Sequence, residues 1–495
     1  MSSISHFIDG TQVPRTSSRT APVFEPATGA VIAAVDLATA AQVDEAVASA
    51  STAFTTWRRS SLSQRSEILF RFRALIDDHR EDLAAIVTRE HGKVRSDAMG
   101  EVARGLENVE FACGIPHLLK GSFSEQASRG IDVHSALQPL GVVAGITPFN
   151  FPVMVPLWML ATAIACGNTF VLKPSERDPS ASVMLAQLLT EAGLPDGVCN
   201  VVHGDAEAVD RILTHPEIAA VSFVGSTPVA RHVYREGTNS GKRVQALGGA
   251  KNHMVVLPDA DIDTAADAAV SAAYGSAGER CMAISVVVAV GAAADPLVDA
   301  IAARIPGIVV GAGDDPRSDV GPLITSTHRD SVAAHVANAA LEGASLVVDG
   351  RNQTFDGSGF FLGLSLVDHV TPDMAIYREE VFGPVLAVVR ADSLDDALSL
   401  VNENPYGNGV AIFTRDGGSA RLFQVEVEAG MVGINVPVPV PVSYYSFGGW
   451  KASLFGDTHM YGPEGIHFYT RSKVVTSRWP EPSASQIDLG FPQTR

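Results

Sequence analysis

Gly141-Val-Val-Ala-Gly-Ile146 is an apolar run of strand length without a charge in it, and it is the first of a series. Phe170-Val-Leu172, Val198-Cys-Asn-Val-Val202 and Ala220-Val-Ser-Phe-Val224 follow, each separated from the one before by enough chain for a helix. Short apolar runs that alternate with helix-length segments predict a parallel, doubly wound sheet covered on both faces. The last run leads straight into Gly225-Ser-Thr227 and a helical pattern. A strand feeding a glycine turn and a helix N-terminus offers backbone N–H groups and a positive dipole end to a phosphate. The full GxGxxG pattern is missing, so an ordinary strand-to-helix turn fits these residues equally well.

Upstream of this series, Phe7-Ile-Asp-Gly-Thr-Gln-Val13 and Val31-Ile-Ala-Ala-Val35 are expected as short strands. Thr39 and Gln42 form a capping box ahead of Val43, Ala46, Val47 and Ala50, which recur at helical spacing. Ile68, Phe72, Leu75 and Ile76 mark a second helix, and Leu83, Ile86 and Val87 a third that stops at Gly92. A fourth carries Val102, Leu106 and Val109, with Arg104 among the polar positions Glu101, Glu107 and Asn108; on the residues alone Arg104 reads as a solvated surface arginine. The uncharged stretch from Ser135 to Leu172 is broken by Pro139, Pro148, Pro152 and Pro156, so it predicts a buried strand, loop and helix and not a membrane span.

Downstream, a second alternating region runs from Met254-Val-Val-Leu257 to about Asn435 and includes Val385-Leu-Ala-Val-Val389. Between its helix at Ala265 to Tyr274 and its strand at Val286 to Val290 lies Gly275-Ser-Ala-Gly-Glu-Arg-Cys281-Met-Ala-Ile-Ser285. Arg280 is expected to lower the pKa of the neighbouring thiol. The residues alone leave Cys281 two readings, a nucleophile or a small buried apolar side chain. Ser128 to Leu140 and Ile466-His-Phe-Tyr-Thr470 with Lys473 to Thr476 read as peripheral strands of a small sheet at a subunit contact. From Glu481 the chain is rich in Pro, Ser and Gln and is expected to be flexible.

At 495 residues the chain is expected to divide into two or three domains. Lys+Arg 36 against Asp+Glu 55 gives a net charge of −19, which argues against a nucleic-acid partner. Cys113, Cys166, Cys199 and Cys281 have neither metal-knuckle nor disulfide-scaffold spacing, so no metal is expected. Together with an N-terminus that lacks a signal-peptide pattern, they suggest a cytoplasmic setting. There is no GxSxG elbow, HExxH or Walker loop.

Thr147-Pro-Phe-Asn-Phe-Pro152, Lys173-Pro-Ser-Glu176, Phe223-Val-Gly-Ser-Thr227, Leu247-Gly-Gly-Ala-Lys251, Gly278-Glu-Arg-Cys-Met282 and Glu379-Glu-Val-Phe-Gly-Pro384 occur in an order and at spacings that resemble the aldehyde dehydrogenase superfamily. The resemblance runs from Phe7 to about Pro480. It is strongest to the CoA-acylating methylmalonate-semialdehyde branch, through Ala103-Arg-Gly-Leu-Glu-Asn-Val-Glu-Phe111, Gly249-Ala-Lys-Asn-His253 and Gly278-Glu-Arg-Cys-Met-Ala283.

The resemblance implies an α/β fold with a Rossmann-type NAD-binding domain (1–122 and 141–246) and an α/β catalytic domain (247–440). A small β oligomerisation domain (123–140 and 441–480) and a tail (481–495) complete it. It implies Cys281 as the nucleophile and Asn150, with the Cys281 N–H, as the oxyanion site. Cofactor contacts are implied at Thr147, Phe149, Lys173, Glu176, Arg177, Ser226, Gly248, Glu380 and Phe382. The Glu176 carboxylate would favour NAD over NADP, and Arg104 and Arg280 would hold a substrate carboxylate. His203 and His253 are expected to be structural.

Hydrolytic members carry Glu immediately before Leu-Gly-Gly, whereas this chain has Ala246, and a methyl group is no base. The implied acyl acceptor is therefore coenzyme A, and the implied assembly a homo-oligomer, dimer or tetramer. Three other classes remain open at this point: a hydrolytic dehydrogenase with another base, a redox-free acyl transferase using Cys281, and an inactive binding protein.

Overall fold

A computed structural model describes residues 2–14, 19–479 and 489. The apolar runs read from sequence form the centre of an eight-stranded sheet. Its order is Leu454–Phe455, Arg243–Leu247, Ile218–Val224, Val142–Ile146, Thr169–Lys173, Cys199–Val201, Phe7–Ile8 and Thr11–Gln12. The five central strands are parallel and the edges antiparallel. Val142–Ile146 and Thr169–Lys173 are buried at every position, as expected of strands with helices on both faces. The first strand in chain order of the five, Val142–Ile146, lies beside the fourth, Ile218–Val224, so the winding reverses there. A crevice opens at the carboxyl ends of strands at such a point.

The helices of this half begin and end where their caps dictate. Thr39 N–H donates to Gln42 Oε1 at 3.0 Å and Gln42 N–H to Thr39 Oγ1 at 3.4 Å, closing the capping box of helix Ala40–Trp57. Helix Arg80–His91 stops at Gly92, whose φ of 98° continues the chain in the left-handed region.

The second alternating region forms a seven-stranded sheet in the order Ser345–Val348, Ser365–Asp368, Val385–Ala391, Ile284–Val290, Asn252–Val256, Gly409–Phe413 and Met431–Ile434. Six strands are parallel and Ser345–Val348 is an antiparallel edge. Strands Asn252–Val256, Ile284–Val290 and Gly409–Phe413 are adjacent and begin together, with Asn252 in register with Ile284 and His253 with Val410.

Thr470–Arg478, Ile131–Pro139 and Phe123–Ser128 form a separate three-stranded antiparallel sheet. The sequence reading grouped all of 441–480 with this sheet, but only Thr470–Arg478 joins it. Trp450–Lys451 pairs with Tyr406–Gly407, and Leu454–Phe455 with Arg243–Leu247. Ile466 to Phe468, expected as extended strand, belongs to helix Gly462–Phe468. Pro463 and Glu464 favour a helical first turn, and Ile466 and Phe468 are buried in the core around Trp158 and Phe447. The tail at 481–495, Leu489 apart, lies outside the described residues. Among the described residues no helix is long and apolar enough to cross a membrane.

Candidate active site

Cys281 stands just ahead of strand Ile284–Val290, after a turn of unusual backbone. Ser276, Ala277 and Gly278 have φ of 54°, 53° and 74°, three successive left-handed residues. Only glycine adopts that region without strain, so neighbouring contacts must hold the turn. At Gly278 a Cβ would come 2.1 Å from the Gly383 carbonyl oxygen, and at Gly275 it would come 2.4 Å from the Arg280 guanidinium. The two glycines therefore permit close packing on both sides of the cysteine.

The thiol is neutral in this setting. Burial, and after it the Glu380 carboxylate, push Cys281 up to about 12, while the Cys281 and Met282 N–H groups and then Arg280 pull it only part of the way back. Arg280 does not depress the pKa as the sequence suggested. Its Nη2 lies 2.5 Å from Asp97 Oδ1, so the adjacent charge is largely answered by a carboxylate.

Asn150 is held from below. Its Nδ2 donates to the Glu279 carbonyl at 3.1 Å, and its own carbonyl accepts from Lys93 Nζ at 2.7 Å. Lys93 also bonds Glu101 Oε2 at 2.8 Å, both side chains being fully buried. Glu101 Oε1 accepts the N–H groups of Val153 and Met154 at 2.8 and 3.2 Å, capping helix Met154–Ala165. A buried ion pair thus ties the Asn150 loop to the helix that follows it. Glu279 is also fully buried, and burial raises its carboxyl to about 8 against the opposing Ile324 N–H, Lys93 and Arg177. One of its oxygens has no hydrogen-bond partner and faces His91 Nε2 at 3.8 Å.

A cleft of about 780 Å³ opens at the winding reversal, lined by Thr147, Phe149, Lys173, Glu176, Arg177 and Ser226 among others. Lys173 Nζ lies 3.1 Å from Glu176 Oε2. Burial alone would raise the Glu176 carboxyl, but Lys173, a backbone N–H and Arg177 hold it below its usual value. The Arg177 guanidinium lies 5.2 Å from the centre of the Phe149 ring. Ser226 is the N-cap of helix Thr227–Asn239 yet makes no side-chain cap bond, which leaves the Thr227 and Val229 N–H groups without that partner, Pro228 having no N–H. Thr147 Oγ1 is buried there without a partner. Such a wall suits an elongated anionic ligand.

Glu380 and Phe382 line a small cavity of about 20 Å³ with Cys281, Arg280 and Asn252. The Phe382 ring, 5.9 Å from that of Phe149 and edge-on to it, links this cavity to the cleft. Gly248 packs against Thr227, the first residue of the helix that bounds the cleft, with its N–H committed to the Ser453 carbonyl at 3.0 Å. On the other side of Cys281 a mainly apolar cavity of about 250 Å³ is walled by Phe151, Met154, Trp158 and Phe447, with Arg104 and Arg280 also on its lining. Arg104 is not merely solvated. It donates to Glu107 Oε2 at 2.6 Å and to the Pro441 carbonyl at 2.8 Å.

Residues 13–475 match the aldehyde dehydrogenase family. The chain belongs to the aldehyde dehydrogenase family. It is 54% identical to the malonate-semialdehyde dehydrogenase of Pseudomonas aeruginosa, over 99% of this chain and 100% of that one. It is 48% identical to malonate-semialdehyde dehydrogenase 2 of Geobacillus kaustophilus, over 96% and 99%. A Sinorhizobium meliloti 1021 protein assigned as a methylmalonate-semialdehyde dehydrogenase, solved in complex with NAD, superposes with a TM-score of 0.96 at 53% identity, covering 97% of this chain and 99% of that one. The methylmalonate-semialdehyde dehydrogenase of Oceanimonas doudoroffii does so with a TM-score of 0.96 at 54% identity, over 98% and 99%.

Several groups around this aldehyde dehydrogenase site escape a sequence reading. Glu101 and Asn108, polar positions on the helix that carries Arg104, are buried, and Lys93 is buried with them. No local signal distinguishes a surface lysine from one whose partner arrives on the next helix. Asn252 and Asn408, which both bond the Cys281 carbonyl at 2.9 Å, were likewise not singled out. His203 and His253 are buried, each driven down to about 3 chiefly by that burial, in keeping with structural roles.

Proposed function

We propose that this enzyme oxidises malonate semialdehyde or methylmalonate semialdehyde with NAD and delivers the acyl group to coenzyme A. The observation that carries the reading is that Cys281 shares one mainly apolar cavity with two arginines, Arg104 and Arg280, alongside the carboxylates of Asp97 and Glu101. An aldehyde that also bears a carboxylate fits that lining, and the names of the most similar relatives point the same way.

The cleft residues fit a dinucleotide: uncommitted N–H groups after Ser226 for its phosphates, the Glu176 carboxylate for a ribose, and the unpartnered Thr147 hydroxyl. Glu380 and Phe382 would meet its far end beside Cys281. When bound, NAD accepts the hydride. Cys281, once deprotonated, adds to the aldehyde carbon. The oxyanion is received by the Cys281 N–H and by the second Nδ2 hydrogen of Asn150, whose first is committed to Glu279. Loss of hydride leaves a thioester on Cys281.

Ala246 is internal to strand Arg243–Leu247, paired with Phe223 and Phe455 and fully buried. No carboxylate there can activate water. Coenzyme A thiolate attacks the thioester carbon instead, forming acyl-CoA and expelling the Cys281 thiolate. After hydride transfer the β-carboxylate leaves as CO₂ and the resulting thioester enolate takes a proton from solvent, so the products are acetyl-CoA or propionyl-CoA.

Release of free acid has one observation in its favour. Burial raises the Glu380 carboxyl to about 7, and the cavity it shares with Cys281 is about the size of one water. NADH formation with coenzyme A varied from zero tests both readings. A burst that stalls without coenzyme A and resumes with it supports thiolysis. A steady coenzyme-A-independent rate yielding free acid overturns thiolysis and shows that a group other than Ala246 supplies the base.

We also infer a homo-oligomer in the cytoplasm. Phe123 and Val474, each 66% exposed on the small three-stranded sheet, favour contact with a second copy, and all four cysteines are unpaired.

A further inference from the structure

The carbonyl oxygen of Cys281 takes no part in the chemistry above, yet two side-chain amides converge on it. Asn252 Nδ2 and Asn408 Nδ2 each donate to it at 2.9 Å. Both are buried, at 2% and 6% exposure. They occupy the entries of strands Asn252–Val256 and Gly409–Phe413, beside the strand that Cys281 leads into. Each is itself fixed. Asn252 Oδ1 accepts the Gly409 N–H at 3.0 Å and its Nδ2 also reaches the Ala283 carbonyl at 2.9 Å, while Asn408 Nδ2 lies 3.2 Å from Met282 Sδ.

The charged neighbours of the thiol do little to ionise it. Arg280 is paired with Asp97, and the Glu380 carboxylate opposes a thiolate. What remains are the backbone N–H groups beside the sulfur, those of Cys281 and Met282, which oppose the upward push of burial on the thiol. The Met282 N–H belongs to the same peptide unit as the Cys281 carbonyl. Donors on an amide oxygen polarise the unit and strengthen its N–H as a donor.

We propose that Asn252 and Asn408 are positioning residues that promote thiolate formation at Cys281 by polarising the Cys281–Met282 peptide. The proposal rests on the reading of Cys281 as nucleophile. The clamp also secures the residues that follow the left-handed Ser276-Ala277-Gly278 turn, so the sulfur and its donors stay in one geometry.

The test is the alkylation of Cys281 by iodoacetamide in cofactor-free enzyme, followed on the Cys281 peptide by mass spectrometry across pH. Asn408→Ala is expected to slow alkylation at fixed pH by about two- to fourfold, as loss of cooperative polarisation of a charge-assisted bond implies. The pH profile should move upward, Asn252→Ala should act in the same direction, and Asn408→Gln, which keeps an amide donor, should recover part of the rate. Should Asn408→Ala fail to fold, Asn408→Ser carries the same expectation. A purely structural role loosens the pocket, hydrates the thiol and moves the profile downward with faster alkylation. That result, or an unchanged profile, overturns the proposal while leaving Cys281 as nucleophile. NADH formation by Cys281→Ala would instead overturn the nucleophile reading and the proposal with it.

Discussion

The cofactor cleft and the surroundings of Cys281 are built on opposite ends of their sheets. The cleft lies at the carboxyl ends of Val142–Ile146 and Ile218–Val224, is open, and offers a free helix N-terminus with partly exposed charges such as Glu176. Cys281 lies at the amino ends of Ile284–Val290 and its neighbours, enclosed by fully buried ionisable groups and by hydrogen bonds to its own backbone. Binding can rely on donors that any strand-to-helix turn supplies. Chemistry on a neutral, half-buried thiol requires groups fixed in advance, because reorganising polar groups during reaction costs rate.

The largest effects should fall on the Cys281 side. Cys281→Ala is expected to abolish NADH formation, and Asn150→Ala to lower kcat by roughly 10²-fold or more, the usual size for an oxyanion donor. Calorimetric titration of NAD into either variant should give wild-type affinity. Loss of NAD binding with either change would erase the separation between the two regions.

Stability should divide the same way. Lys93→Met strands the buried Glu101 charge and is expected to cost about 3–5 kcal/mol in urea unfolding. Lys173→Met breaks a pair whose carboxylate is about a third exposed, and is expected to cost about 0–1 kcal/mol while weakening NAD binding. Equal losses would mean that the cleft is as tightly built as the nucleophile's support.

Glu279 gives a pH-dependent version of that contrast. Its carboxyl titrates near 4.5 when unfolded and at about 8 when folded, the rise coming first from burial. Between those values the folded state holds a proton that the unfolded state has released. Its stabilising contribution is therefore complete below about 4.5 and is lost as pH rises towards about 8, at no more than about 1.4 kcal/mol per pH unit. His91, His328 and Lys93 face the group, so part of the effect is shared with them. Glu279→Gln cannot titrate and should gain stability over wild type steadily from pH 5 to pH 8. A constant difference between the two proteins across that range would show that the carboxyl is ionised throughout.

What the sequence disclosed follows the same division. Strand runs, the Thr39 capping box and the Gly92 stop are local patterns, and local chemistry decides them. The strand-to-helix turn at Gly225 that bounds the cleft was legible because a strand, Gly225 and a helix start are contiguous. The support of Cys281 was not, since Lys93 with Glu101, Asp97 with Arg280, and Asn408 with Cys281 are joined only by the fold. The helix at Gly462–Phe468 was misread for a related reason: Ile466 and Phe468 alternate like a strand, and their burial against the core is a tertiary fact.

A further effect concerns recognition, on the far side of Cys281 from the cleft. Arg104 and Arg280 line the cavity beside Cys281, and a guanidinium presents a fork matched to a carboxylate. A charge-assisted bond contributes about 1.5–3 kcal/mol when its donor is free. Arg104 is already engaged by Glu107 and the Pro441 carbonyl, so the lower end of that range applies. Arg104→Leu is therefore expected to reduce the ratio of kcat/KM for malonate semialdehyde to that for propanal by about tenfold. Propanal turnover itself should be preserved, because the nucleophile and its supports are untouched. If the ratio is unchanged, Arg104 serves the Pro441 loop and Arg280 alone faces the carboxylate. If both substrates fall together, the substitution has reached Cys281 through the shared cavity wall, and recognition and chemistry are less separable than the two ends of the site suggest.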